Sequence, residues 1–84
     1  MSLERAVLIS LLKLTKDGPV EFESVNLDSK MPSSVTLILL KKMQNDGLIS
    51  LNKPTVEIDA TSRMKLAIKA INLGADVERV SDLL

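Results

Sequence analysis

The chain contains no cysteine, histidine, tryptophan or tyrosine, and its one aromatic residue is Phe22. Without cysteine there can be no disulfide and no thiolate metal site, and the redox compartment cannot be read from the sequence. Without histidine or cysteine the usual general base and the thiol nucleophile are missing. The nine serines have no visible partner base. No glycine-rich phosphate loop and no zinc-ligand spacing occur. The acidic residues Asp17, Glu21, Glu23 and Asp28 match no cation-binding loop and read as solubilising carboxylates. The four methionines read as aliphatic filler. The expectation is a protein that is not an enzyme and needs no cofactor or metal. No apolar run approaches the length of a membrane span, and the start, with Glu4 beside Arg5 and no small-residue cleavage site, does not read as a signal peptide. A cytoplasmic protein without membrane contact is expected.

Charge of one sign is also lacking. Eleven basic residues balance eleven acidic ones, which argues against tight non-specific binding to nucleic acid. What is present is aliphatic: 45% of the 84 residues are apolar. That is enough for one core, built from Leu, Ile, Val and Met, and too little chain for two.

Spacing predicts a first helix over residues 3–15, capped by Ser2, with Glu4 at the positive end of its dipole. Leu3, Val7, Leu11 and Leu14 form a stripe that Leu8, Ile9 and Leu12 widen beyond half the surface. Such a helix is either central in a core or covered by a partner, and Leu8 and Leu12 are therefore candidates for a dimer or protein contact. Lys16-Asp17-Gly18-Pro19 breaks the helix and turns the chain. Val20-Glu21-Phe22 alternates as a short edge strand. Residues 23–30 read as a short helix with Val25 and Leu27 inward. Pro32 suits the start of a helix over 32–45, with Val35, Leu39 and Met43 inward, Thr36 and Leu40 on one flank, and Lys41 and Lys42 where the dipole favours cations. Gly47 stops it. Leu48 to Leu51 and Thr55 to Ile58 read as a hairpin around Asn52-Lys53-Pro54. Asp59, Thr61 or Ser62 can cap a helix over 61–73 with Met64, Ala67, Ile68 and Ile71 inward. Residues 1–74 are read as one domain. Residues 75–84, with Val77, Val80, Leu83 and Leu84 on one side, are read as the start of a further helix or a linker into a longer parent chain.

The order helix, strand, helix, helix, strand, turn, strand, helix resembles the winged helix-turn-helix superfamily over about residues 3–73. The most specific part is SSVTLILLKKMQNDGLI: a small polar entry, apolar residues near Leu40 and Met43, then Gly47 and Leu48-Ile49. The resemblance implies a mostly helical α+β fold, with a three-helix core, a small β-hairpin wing and an extra C-terminal helix. It also implies a DNA-binding module, of the kind used in transcription regulation, with the third helix in the major groove. Similar modules precede nuclease or other catalytic domains in archaeal proteins, and the tail GADVERVSDLL resembles such a join.

On that helix the outward positions are expected to be Ser34, Leu37, Ile38, Lys41 and Asn45. Ser34, Lys41 and Asn45 can hydrogen-bond to bases or phosphates. Lys30, Lys42 and Lys53, the last at the hairpin tip, can add phosphate contacts and make binding to double-stranded DNA weak and salt-sensitive. Each of these lysines could equally be an ordinary solvated charge. Leu37 and Ile38 cannot read a donor–acceptor code beyond a thymine methyl. They are either a patch for a protein partner or homodimer, or are covered by the second helix or the tail. Arg63, Lys65 and Lys69 are expected to face solvent. An interaction module that keeps the same scaffold and does not bind DNA is the alternative function.

Overall fold

The computed structural model describes residues 2–52 and 54–84. Its elements are α1 (Leu3–Leu14), β1 (Val20–Glu21), α2 (Phe22–Ser29), α3 (Ser33–Asn45), β2 (Ser50–Asn52), β3 (Thr55–Glu57), α4 (Ala60–Asn72) and α5 (Val77–Leu83). The strands form one antiparallel sheet in the order β1-β3-β2. Val56 stands opposite both Val20 and Leu51, so β3 is the middle strand and its central valine is fully buried. The architecture is α+β and mostly helical. None of the helices among the described residues is long and apolar enough to cross a membrane.

α1 starts where the Ser2 side chain accepts the Arg5 backbone N–H at 3.2 Å and stops at Thr15, whose hydroxyl and backbone N–H both donate to the Leu11 carbonyl. Val7, Leu8, Leu11 and Leu12 are each 0% exposed. The expectation that Leu8 and Leu12 offer an intermolecular contact is thereby corrected. A helix apolar on most sides needs neighbours on most sides, and α2, α3, α4 and α5 of the same chain all pack on α1. Residues 75–84 contribute to this wrapping, since Val80 of α5 lies in the same core.

α2 buries Val25 and leaves Leu27 68% exposed, against the expectation that both point inward. Two residues on a helix differ by about 200° in direction, so one of the pair must face out. Val25 and Ser29, four apart, share the inner face.

α3 begins after Pro32, whose carbonyl accepts the N–H groups of Val35 and Thr36 at 3.0 and 3.1 Å. It ends with Gly47 at φ 75°. There the Gly47 N–H reaches the Gln44 carbonyl and the Leu48 N–H reaches the Met43 carbonyl, both at 3.0 Å, which satisfies orphan carbonyls of the last turn. The inner face is Thr36, Leu40 and Met43, all fully buried, with Leu39 only packed against its edge. The helix is thus rotated by roughly 60° from the expected Val35–Leu39–Met43 face.

α4 is capped by Asp59, which accepts the Ser62 N–H at 2.7 Å. It buries Ser62, Leu66, Ala67 and Ala70. Ala67 is as expected, but Met64 and Ile68 are exposed and Ile71 is half-buried. Arg63, beside Met64 in sequence, is half-buried and turned toward the ends of α1 and α5. In α5, Val80 is buried while Val77 and Leu84 stay exposed, so the expected four-residue apolar side only partly reaches the core.

Leu40→Ala is expected to lower the unfolding free energy by about 2–5 kcal/mol in urea denaturation, the usual range for a filled core position. Leu39→Ala, at the core edge, should cost clearly less. Equal losses would contradict the rotated face of α3.

Candidate functional site

The turn from α2 into α3 is short and braced. Lys30 takes the left-handed conformation at φ 58° and closes α2. Asn26 then ties the two helices together. Its side-chain N–H donates to Ser33 Oγ at 3.2 Å, and its side-chain carbonyl accepts the Thr36 hydroxyl at 2.8 Å. Thr36 is completely buried, and a buried hydroxyl left unpaired would cost about 1–3 kcal/mol. The same hydroxyl also reaches the Pro32 carbonyl at 3.4 Å, and the shorter bond to Asn26 ties the inner face of α3 to α2.

The opposite side carries Ser34, Ile38, Lys41 and Asn45, all exposed, with Ile38 at 67%. Neither the second helix nor the tail covers Ile38. Leu37 lies differently. It is half-buried and lines a cleft of about 290 Å³ with Phe22, Pro54, Glu21 and Glu23. Of the proposed phosphate ligands, Lys30 and Lys41 are exposed and, among the described residues, neither is in an ion pair. Lys42 is also exposed but leans toward Glu4, at 4.0 Å. Lys53 lies outside the described residues. Leu8 and Leu12 belong to the core and not to any surface.

Several polar side chains with defined roles were not expected from the sequence. Arg63, assigned to solvent, donates to Thr15 Oγ1 at 2.8 Å, to the Leu12 carbonyl at 2.9 Å and to the Leu83 carbonyl at 2.7 Å. Lys69, also assigned to solvent, pairs with Glu4 at 3.3 Å. The Glu4 Oε2 atom is buried and held by charge attraction rather than by an aligned hydrogen bond. Only Lys65 of the helix-four trio is exposed as anticipated. Asp28 pairs with Lys13 at 2.8 Å and accepts the Ser10 hydroxyl at 2.7 Å. The hydrogen bond from Lys13 holds its carboxyl below the ordinary carboxylate range. Ser10 and the charges of Lys13 and Arg79 add to that effect, and partial burial opposes it.

Comparison of the chain with models of known protein families, with curated proteins and with solved structures finds no match.

The depressed Asp28 carboxyl sets a pH dependence. Its folded value lies below the unfolded one, so its contribution is complete above the unfolded value and is lost as pH falls through the folded value. Asp28→Asn should therefore lower stability by about 1 kcal/mol at neutral pH. The gap to the wild type should close as pH drops below about 4 in acid-titrated urea melts. A gap that persists unchanged into strong acid would contradict the assignment.

Proposed function

We propose that the chain is a winged helix-turn-helix module that binds double-stranded DNA, acting as a binding module and not as an enzyme. The order α1, β1, α2, α3, β2, β3 supports it, together with β1 closing against β3 beside the hairpin. The observation that carries the reading is the uncovered outer row of α3, which holds Ser34, Lys41 and Asn45 and no acidic residue. In this reading α3 lies in the major groove. The Asn45 amide suits an adenine edge, which offers a matching donor and acceptor. Lys30 and Lys41 contact phosphates, with Lys42 partly committed to Glu4. Zero net charge removes long-range attraction, so binding is weak, and its reliance on phosphate contacts makes it salt-sensitive.

Fluorescence anisotropy of a labelled duplex tests this. Affinity should fall steeply with salt, with a log–log slope near −0.9 per phosphate contact. Lys41→Ala and Lys30→Ala should each reduce that slope by about one contact. No binding even at low salt would remove the reading.

A second reading, an interaction module on the same scaffold, is favoured by the cleft beside α3. Phe22, Leu37 and Pro54 give it an apolar lining, and Glu21 and Glu23 border it with negative charge. Carboxylates there repel phosphate and suit a protein segment that combines an aliphatic side chain with Lys or Arg, in a partner protein or a second copy. If this reading holds, replacing both Leu37 and Ile38 by Glu should convert an associated species to monomer in sedimentation with helical content intact. An unchanged mass would count against it.

A further inference from the structure

A different cleft lies across the outer side of α1, between α2 and α5. It has a volume of about 240 Å³, with Ala6 and Ile9 among its lining residues. Three cations line it, Arg5, Lys13 and Arg79, against the single carboxylate of Asp28. The whole chain has no net charge, so two uncompensated positive charges in one concavity do not follow from composition.

The four groups differ in what they have left to give. Lys13 and Asp28 are committed to each other, and the second oxygen of Asp28 is taken by Ser10. Arg5 makes one long contact, Nη1 to the Leu73 carbonyl at 3.5 Å. It rests over Gly74, where an added Cβ would stand 2.9 Å from Nη1. The missing side chain at Gly74 thus leaves room for the guanidinium. Arg79 is exposed and, among the described residues, has no hydrogen bond or ion pair from its side chain. A guanidinium has five N–H donors in a planar fork that matches the oxygens of a phosphate or carboxylate. Two forks with most donors unspent therefore border one cleft whose only carboxylate is already neutralised.

We propose that this cleft binds an oxyanion, a phosphate or carboxylate group of a small ligand, held by Arg5 and Arg79. Ala6 and Ile9 supply an apolar lining for whatever carries the charged group. The site is built by α1, α2 and α5 and shares no residue with the outer row of α3, so it goes beyond the DNA reading.

The test is an NMR titration of the full chain with inorganic phosphate and, separately, with acetate, at constant ionic strength. Saturable shifts confined to residues 5–13, 28–29 and 79 are expected. Saturation by either anion supports the site, and the tighter of the two identifies the ligand group. Arg79→Gln should weaken apparent affinity by about tenfold or more, the loss of one charge-assisted hydrogen bond. Its unfolding midpoint should fall by no more than the small charge contribution of Arg79 to Asp28. Non-saturating shifts, or saturable shifts that Arg79→Gln leaves intact, would overturn the proposal. A parallel, equal loss of duplex DNA affinity in Arg79→Gln would also overturn it, by making the cleft part of a nucleic-acid footprint.

Discussion

Arg63, in the first turn of α4, holds the ends of α1 and α5 together, with a single long contact from Arg5 running the other way. Arg5, in the first turn of α1, reaches the Leu73 carbonyl at the end of α4. Arg63, in the first turn of α4, reaches the Leu12 carbonyl and the Thr15 hydroxyl at the end of α1, and the Leu83 carbonyl at the end of α5. The carbonyls of a helix's last turn have no partner within the helix and carry the negative end of its dipole. One guanidinium with five donors can serve two such ends at once. The two helices must therefore run antiparallel, with the Glu4–Lys69 ion pair between them. With α4 and α5 fixed on one side, α1 becomes the central helix and its leucines disappear from the surface.

That arrangement decides which side chains remain at the surface. With α1 enclosed, α3 packs inward through Thr36, Leu40 and Met43 and turns Ser34, Ile38, Lys41 and Asn45 outward. The zero net charge conceals a segregated surface. Glu21 and Glu23 border the apolar cleft beside α3, while Arg5 and Arg79 border the cleft across α1. Because screening shortens the reach of exposed charges to about 10 Å at ordinary salt, the field at each surface is set by these local patches more than by the total.

Much of the chain's organisation was legible residue by residue. Ser2, Pro32, Gly47 and Asp59 mark helix ends through capping chemistry that acts over a few residues, and the alternation of Val20-Glu21 and Thr55-Val56-Glu57 marks strands. Which of the apolar residues of α3 fill its inner face was not legible. Apolar residues at 35, 37, 38, 39, 40 and 43 cover most directions of that helix, so periodicity cannot choose among them. The inner face is Thr36, Leu40 and Met43, and Asn26, from another helix, accepts the Thr36 hydroxyl. The contacts of Arg63 are equally hidden from local pattern. Its acceptors lie 51, 48 and 20 residues away in sequence, and no local pattern announces them. With Arg63 turned inward, Met64 and Ile68 face outward although their spacing resembles a core stripe. Of the candidate site, Ser34, Ile38, Lys41 and Asn45 were legible as one outward row, whereas the cleft of Arg5 and Arg79 exists only once α5 has folded back on α1.

The dependence of the fold on Arg63 is tested most directly by urea unfolding of Arg63→Ala and Arg63→Lys. Loss of charge-assisted bonds to three acceptors should cost about 2–4 kcal/mol in the alanine variant. Lysine should recover only part of it, since an ammonium lacks the fork that spans two helix ends. A change below about 0.5 kcal/mol for alanine, the level of an ordinary surface substitution, would contradict the account.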